Sequence, residues 1–106
     1  MDPVEFEVRG TTAVITLQRS EVRNCVDGET AAALAEAFRR FEREEALSVA
    51  ILTGSGGCFC AGADLKAIGK GGGNALTLRG DGPMGPTRML LSKPVLAAIE
   101  GYAVAG

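Results

Sequence analysis

The chain has 106 residues, of which 46% are apolar, and it carries 11 basic and 13 acidic side chains for a net charge of −2. This length predicts one domain, with enough apolar residues for a core. The charge balance argues against a nucleic-acid partner, which usually requires a basic face. The apolar runs are far shorter than the roughly 20 residues of a membrane-spanning helix, and the acidic, alternating N-terminus does not resemble a secretory signal.

Cysteine and histidine content restricts the chemistry further. The chain has three cysteines, Cys25, Cys58 and Cys60, and no histidine. An odd number of cysteines without a signal peptide predicts reduced thiols in a cytoplasmic or other reducing intracellular compartment. Cys58 and Cys60 would form only half of a zinc site, so we predict no metal. Without histidine, acid–base chemistry near neutral pH would need a perturbed carboxylate, cysteine or lysine.

The first elements predict the start of an α/β fold. Residues 4–9 alternate apolar and polar side chains, which is typical of a half-buried strand, and they should form a hairpin with residues 13–18. Asp27 is a favourable N-cap for a helix over residues 28–45. The apolar stripe of this helix contains Leu34, Phe38 and Phe41.

The next elements predict parallel strands. Residues 48–54 form a nearly continuous apolar run, typical of a strand buried on both faces, and their position after a helix predicts a βαβ unit. A short helix is expected near residues 64–68. Residues 93–100 are predicted to form a second buried strand.

A glycine-rich segment separates these last two elements. Residues 69–86 offer little apolar surface, so we expect a mobile loop with a brief helical piece at residues 75–78. Residues 71–74 could cradle a phosphate, but no strand precedes them and no G-K-[ST] motif follows. A flexible lid or linker is the favoured interpretation.

Two glycine-containing turns follow predicted strands, at residues 61–64 and 101–106. Ligands of α/β sheets bind beyond the carboxyl ends of strands, and glycine lets a ligand approach the backbone closely. Two unpaired N–H groups that converge from two turns would form an oxyanion hole. Spacing alone does not establish convergence, and each turn by itself is more often structural. Asp64, at a helix start, is predicted to be an N-cap and not a catalytic acid.

Three segments resemble the enoyl-CoA hydratase/isomerase (crotonase) superfamily. Residues 59–65 resemble its F-x-A-G-A-D-[LI] segment, and residues 93–106 resemble its K-P-[VI]-[IL]-A-A-[VI]-x-G-x-A-x-[AG]-G signature. Residues 17–24 are similar to the family's L-x-R-P-x-x-x-N. The resemblance covers essentially the whole chain. It implies an α/β, crotonase-like (ClpP/crotonase) ββα spiral core, truncated after the second oxyanion-hole turn.

The resemblance also implies a site for acyl-CoA thioesters. The family's two oxyanion-hole amides match the backbone N–H groups of Ala63 and Gly106. Residues matched to the adenine and pantetheine path are Ala61, Gly62, Asp64, Leu65 and Lys66. Arg23 and Lys66 would lie near the CoA phosphates, with a surface loop arginine as the alternative for Arg23. Coenzyme A is part of the substrate, so no separate cofactor is implied.

The family's hydratases use two glutamates that follow the second signature, and this sequence ends at Gly106. We therefore expect the 106-residue chain to be inactive alone, with Glu100 at a position that is not catalytic in the family. A full-length parent would hydrate or isomerise 2-enoyl-CoA in fatty acid metabolism, as a homotrimer or hexamer. The alternatives are a non-catalytic acyl-CoA-binding module and an inactive remnant.

Overall fold

A four-stranded mixed sheet organises the chain. The computed structural model describes residues 2–74, 76 and 79–106. The strands are β1 (Val4–Arg9), β2 (Thr12–Leu17), β3 (Val49–Gly54) and β4 (Val95–Ala98), and the helices are α1 (Gly28–Arg43) and α2 (Leu65–Gly69). The strand order is β1-β2-β3-β4; the first pair is antiparallel and the other two pairs are parallel. The predicted α/β class is therefore confirmed.

The predicted N-terminal hairpin forms. Val4 lies opposite Leu17 at its open end and Arg9 lies opposite Thr12 at the turn. The alternation along β2 places Ala13, Ile15 and Leu17 in the core, because successive side chains of a strand point to opposite faces. The hairpin thus supplies the core-facing side of the sheet.

Helix α1 covers this face and begins at the predicted cap. The Asp27 carboxylate accepts a hydrogen bond from the Thr30 N–H at 2.8 Å. The buried side of the helix contains Thr30, Ala31, Leu34, Ala35, Ala37, Phe38 and Phe41. The helix ends at Arg43, two residues before the predicted end, where the Lys93 ammonium donates to the carbonyls of Phe41 and Glu44 at 2.8 Å each. Lys93 thereby satisfies carbonyls that a helix end leaves unpaired. Among the described residues, no helix is long and apolar enough to cross a membrane, the 16-residue α1 included.

The pairing of β3 confirms the predicted βαβ unit, but only Ala50 of β3 is fully buried, so the predicted burial of both faces is not found, and the exposure of β4 corrects a second prediction. β2 and β3 are parallel, as the predicted βαβ unit requires. The prediction that β4 is buried is wrong for this chain, since all four of its residues are exposed and Leu96 is 59% exposed. β4 lies at the sheet edge beside β3, while α1 packs on β1 and β2, so the described residues leave β4 uncovered.

The glycine-rich segment contacts α1 at both ends. The Gly28 N–H donates to the Gly72 carbonyl at 3.0 Å, and Arg39 forms an ion pair with Asp81. The helical piece predicted at residues 75–78 lies outside the described residues, apart from Leu76. The predicted mobility of the segment remains a prediction.

Candidate functional site

Two turns meet beyond the carboxyl ends of β3 and β4. We call residues 60–64 the first turn and residues 101–106 the second turn. The Cys60 N–H donates to the Tyr102 carbonyl at 2.8 Å, and the Val104 N–H donates to the Cys60 carbonyl at 3.2 Å. The Ala63 N–H donates to the Ala105 carbonyl at 3.1 Å. The two turns therefore meet in the structure, whereas the convergence of two N–H groups on one ligand remains a prediction.

Gly62 permits this close approach. Its φ is +102°, and a Cβ built there would lie 2.5 Å from the Ala105 carbonyl oxygen and 2.7 Å from that of Val104. Real Cβ atoms essentially never come within 3.0 Å of another heavy atom, so any other residue would push the two turns apart. Glycine is required here for both space and backbone conformation.

A third segment, residues 23–26, holds the opposite side of the first turn. The Val26 N–H donates to the Gly62 carbonyl at 2.8 Å, and the Asp64 N–H donates to the Val26 carbonyl at 2.9 Å. The Ala61 N–H donates to the Arg23 carbonyl at 3.0 Å. The first turn is thus hydrogen-bonded on both sides, like the central strand of a small sheet.

Asn24 anchors that third segment. It is fully buried, with a φ of +57°, which asparagine tolerates better than most residues. Its side-chain oxygen accepts from the Arg19 N–H at 2.8 Å, and its amide donates to the carbonyls of Ser55 and Cys58 at 3.0 and 2.6 Å. The role of Asn24 was not predicted, although Asn24 closes the L-x-R-P-x-x-x-N segment.

Asp64 caps α2, as predicted. One carboxylate oxygen accepts from the N–H groups of Lys66 and Ala67 at 3.1 Å each. The other oxygen accepts from the Arg19 guanidinium at 3.0 Å. The hydrogen bond from the Ala67 N–H, together with Arg19, holds the pKa of the Asp64 carboxyl below its ordinary value. Asp64 is therefore a fixed anion at the start of a helix and not a proton donor near neutral pH.

The predicted CoA-side residues occupy two environments. Ala61, Gly62 and Asp64 are partly or fully buried in the first turn, whereas Leu65 and Lys66 are exposed on α2.

Arg23 is also exposed, and its guanidinium carbon lies 5.2 Å from the ring centroid of Tyr102 in the second turn. The exposed position fits both interpretations that the sequence left open, a contact with CoA and a surface arginine. The contact with Tyr102 was not predicted.

Ala63 and Gly106 line one open groove. Its other walls come from the glycine-rich segment, from α2 and from the second turn: Ile68, Gly71, Gly73, Asn74, Leu76, Pro83, Met84 and Ala105. An apolar cavity of about 190 Å³ lies next to the groove and shares Met84 and Gly106 with it. The groove thus brings the two residues matched to the oxyanion hole to one surface, with the Ala63 N–H bonded to the Ala105 carbonyl.

The surroundings of the Cys60 thiol, in the first turn, make it unreactive. Cys60 is buried, its sulfur accepts from the Gly62 N–H at 3.3 Å, and burial raises the pKa of its thiol. Within the part of the chain that the structure describes, no three His, Cys, Asp or Glu side chains are grouped to hold a metal ion.

Comparisons with known proteins place the fold and the two turns in one family. The sequence model of the family "Enoyl-CoA hydratase/isomerase" matches residues 7–106. The chain therefore belongs to the enoyl-CoA hydratase/isomerase family, and the predicted resemblance is confirmed.

Two curated relatives show how much of a family member the chain represents. It is 39% identical to the enoyl-CoA hydratase EchA19 of Mycobacterium tuberculosis, over 94% of this chain and 40% of that protein. It is 42% identical to a carnitinyl-CoA dehydratase of Proteus mirabilis, over 97% of this chain and 40% of that protein. The chain thus spans about 40% of the length of these relatives.

Solved structures confirm the crotonase-type fold. The enoyl-CoA hydratase EchA1 from Mycobacterium marinum superposes with a TM-score of 0.87 at 40% identity, over 97% of this chain and 40% of that one. An enoyl-CoA hydratase from Mycobacterium tuberculosis gives a TM-score of 0.87 at 39% identity, over the same shares of both chains.

Proposed function

We propose that this chain binds the thioester end of an acyl-CoA, with the backbone N–H groups of Ala63 and Gly106 directed at the thioester carbonyl oxygen. It would supply the oxyanion-hole part of an enzyme that hydrates or isomerises 2-enoyl-CoA. The observation that carries the proposal is the meeting of the two turns, where Ala63 and Ala105 are joined by a 3.1 Å hydrogen bond.

The chemistry explains why two backbone amides suffice for this role. A thioester oxygen gains negative charge when its α-carbon becomes carbanionic or when its β-carbon is attacked. Fixed N–H donors stabilise that charge without reorganising, and removal of one such donor typically costs about 3–4 kcal/mol of transition-state stabilisation. Gly62 and the bonds on both sides of the first turn hold the Ala63 donor in place.

Ligand binding requires an exchange of hydrogen bonds at Ala63. Its N–H donates to the Ala105 carbonyl, so a thioester oxygen has to replace that carbonyl. None of the peptide bonds in the described residues is cis, so the Ala105 carbonyl and the Gly106 N–H point to opposite sides of their shared peptide. Rotation of this one peptide would withdraw the carbonyl and present the Gly106 N–H to the same ligand oxygen.

The surroundings suit a CoA ester. Lys66 and Arg23 are exposed beside the first turn, where cations would attract the phosphates of CoA. The two curated relatives described above are named for reactions of enoyl-CoA and carnitinyl-CoA, both of which are CoA esters.

A calorimetric titration of the purified chain with acetyl-CoA tests this proposal, with free CoA as the control and a crotonyl-CoA hydration assay alongside. We expect acetyl-CoA to bind more tightly than CoA, because only the thioester offers an oxygen to Ala63 and Gly106. Binding without hydration would match the non-catalytic module that the sequence left open. Equal affinities would contradict the oxyanion-hole assignment. A cooperatively melting chain that binds neither ligand would be the inactive remnant.

A further inference from the structure

Arg19 joins the two helix starts that flank the first turn. Its guanidinium lies 3.0 Å from the carboxylate of Asp64 and 3.6 Å from that of Asp27, and it donates to the Cys25 carbonyl at 2.5 Å. The side chain is only 19% exposed. Three separate acceptors therefore converge on one largely buried cation.

Each carboxylate that Arg19 contacts is already committed to a helix through its other oxygen. Asp27 accepts from the Thr30 N–H at the start of α1, and Asp64 accepts from the N–H groups of Lys66 and Ala67 at the start of α2. Arg19 thus links the two helix starts, and its contact with Asp64 lies one residue from the Ala63 amide.

We infer that Arg19 is a positioning residue, which fixes the direction of the Ala63 N–H through Asp64 and does not touch the ligand. This inference rests on the proposed function for its effect on binding. It goes beyond that function because it assigns the rigidity of the donor to one side chain, Arg19, which contacts Asp64 across 45 residues of sequence. A planar guanidinium can serve several acceptors at fixed angles, whereas a lysine ammonium offers only a point charge.

The chemistry of the cluster explains why a cation is needed there. Both carboxylates lie against the Arg19 guanidinium, and the negative charge of Asp64 opposes the ionised form of Asp27. Arg19 lies within contact of both carboxylates and offsets that repulsion. Without it, the first turn would lose its side-chain link to the start of α1 and would be held there only by the backbone hydrogen bonds to residues 23–26.

Three variants test the inference: Arg19→Met, Arg19→Lys and the control Arg43→Lys. Arg43 is exposed on α1 and pairs only weakly with Glu36, at 3.5 Å. Hydrogen exchange of backbone amides is measured first, without ligand. We expect the Ala63 and Asp64 amides to exchange about tenfold faster in Arg19→Met, with the β2 amides unchanged. Arg19→Lys should recover part of the protection, and Arg43→Lys should equal the unmodified chain.

The second measurement is the ratio of the dissociation constants for CoA and acetyl-CoA. A positioning role predicts that Arg19→Met lowers this ratio about tenfold, because the thioester contact weakens while the CoA contacts persist. If all amides exchange faster together, or none does, Arg19 is merely structural or unimportant, and the inference is overturned. Should Arg19→Met fail to fold, Arg19→Lys decides by the same two criteria. If the unmodified chain binds no acetyl-CoA, the proposed function fails, and the exchange data alone still decide the role of Arg19.

Discussion

The two turns that meet at the site are held in opposite ways. The first turn is bonded on one side to residues 23–26 and on the other to the second turn, with Gly62 and Cys60 buried between them. Every residue of the second turn is exposed, and Ala105 adopts a φ of +52° that is unfavourable for alanine. The donor proposed at Ala63 thus lies in a bonded framework, whereas the donor proposed at Gly106 lies in an exposed segment. We therefore predict that the first turn determines where a ligand is held, and that the second turn determines whether a ligand can bind.

Gly62→Ala should disrupt the contact between the two turns most severely. The added Cβ meets the Ala105 carbonyl at 2.5 Å, and an alanine at a φ of +102° is strained. We expect a loss of about 2–4 kcal/mol in the free energy of unfolding, from backbone strain and overpacking together, with loss of acetyl-CoA binding. Urea unfolding followed by circular dichroism measures the first effect.

Gly57→Ala is the matched control. Gly57 also has a positive φ, +75°, but a Cβ there would meet nothing within 4 Å. Gly57→Ala should lower the free energy of unfolding only through backbone strain, by about 1 kcal/mol. Equal effects of the two substitutions would show that strain alone matters, and that the close approach of the two turns does not.

The pH dependence of stability tests how firmly the first turn is anchored. The pKa of both Asp27 and Asp64 lies below the ordinary value, for Asp64 through the Ala67 N–H first and then Arg19. For Asp27, burial raises the pKa, but the hydrogen bond from the Thr30 N–H and the charge of Arg19 outweigh this effect. A carboxyl with a lowered folded-state pKa stabilises the fold above its ordinary pKa, and that stability is lost as the pH falls through the folded-state value.

We therefore expect the free energy of unfolding to decrease as the pH falls below about 5, and the Asp64→Asn variant to show a shallower decrease. Asparagine can still cap α2, so the variant should fold. Urea midpoints across a pH series measure the slopes. Glu45→Gln removes one exposed carboxylate and should leave the slope unchanged. A full acid slope in Asp64→Asn would contradict the role of the Arg19 contact.

The features predicted correctly from the sequence are those determined by short stretches of chain. The strand over residues 4–9 and the caps at Asp27 and Asp64 depend on residues only a few positions apart, and the structure confirms them, although Val8 of the strand is exposed. The burial of β4 was predicted wrongly, because an apolar run reveals hydrophobicity but not which neighbours cover it.

The framework of the site could not be predicted by the same means. Asn24 reaches carbonyls 31 and 34 residues away, and Arg19 reaches a carboxylate 45 residues away. Such contacts leave no periodicity in a sequence. The two glycine turns were visible because glycine marks positions where the backbone needs a positive φ or close contact, yet their convergence required the fold. The functional roles of Ala63 and Gly106 remain predictions.

The smallest expected effect concerns the second turn alone. Ala105→Gly removes the cost of a positive φ in an exposed residue and should stabilise the docked turn by about 0.5–1 kcal/mol. The Val104 amide, which donates to the Cys60 carbonyl, should then exchange about two- to fivefold more slowly.

Ala103→Gly is the matched control, because Ala103 has no positive φ and glycine there only adds backbone freedom. Exchange at Val104 should therefore accelerate in this variant. If both variants accelerate exchange, the strain at Ala105 is not what loosens the second turn. The rotation that presents the Gly106 N–H would then be limited by the bond between Ala63 and Ala105 itself.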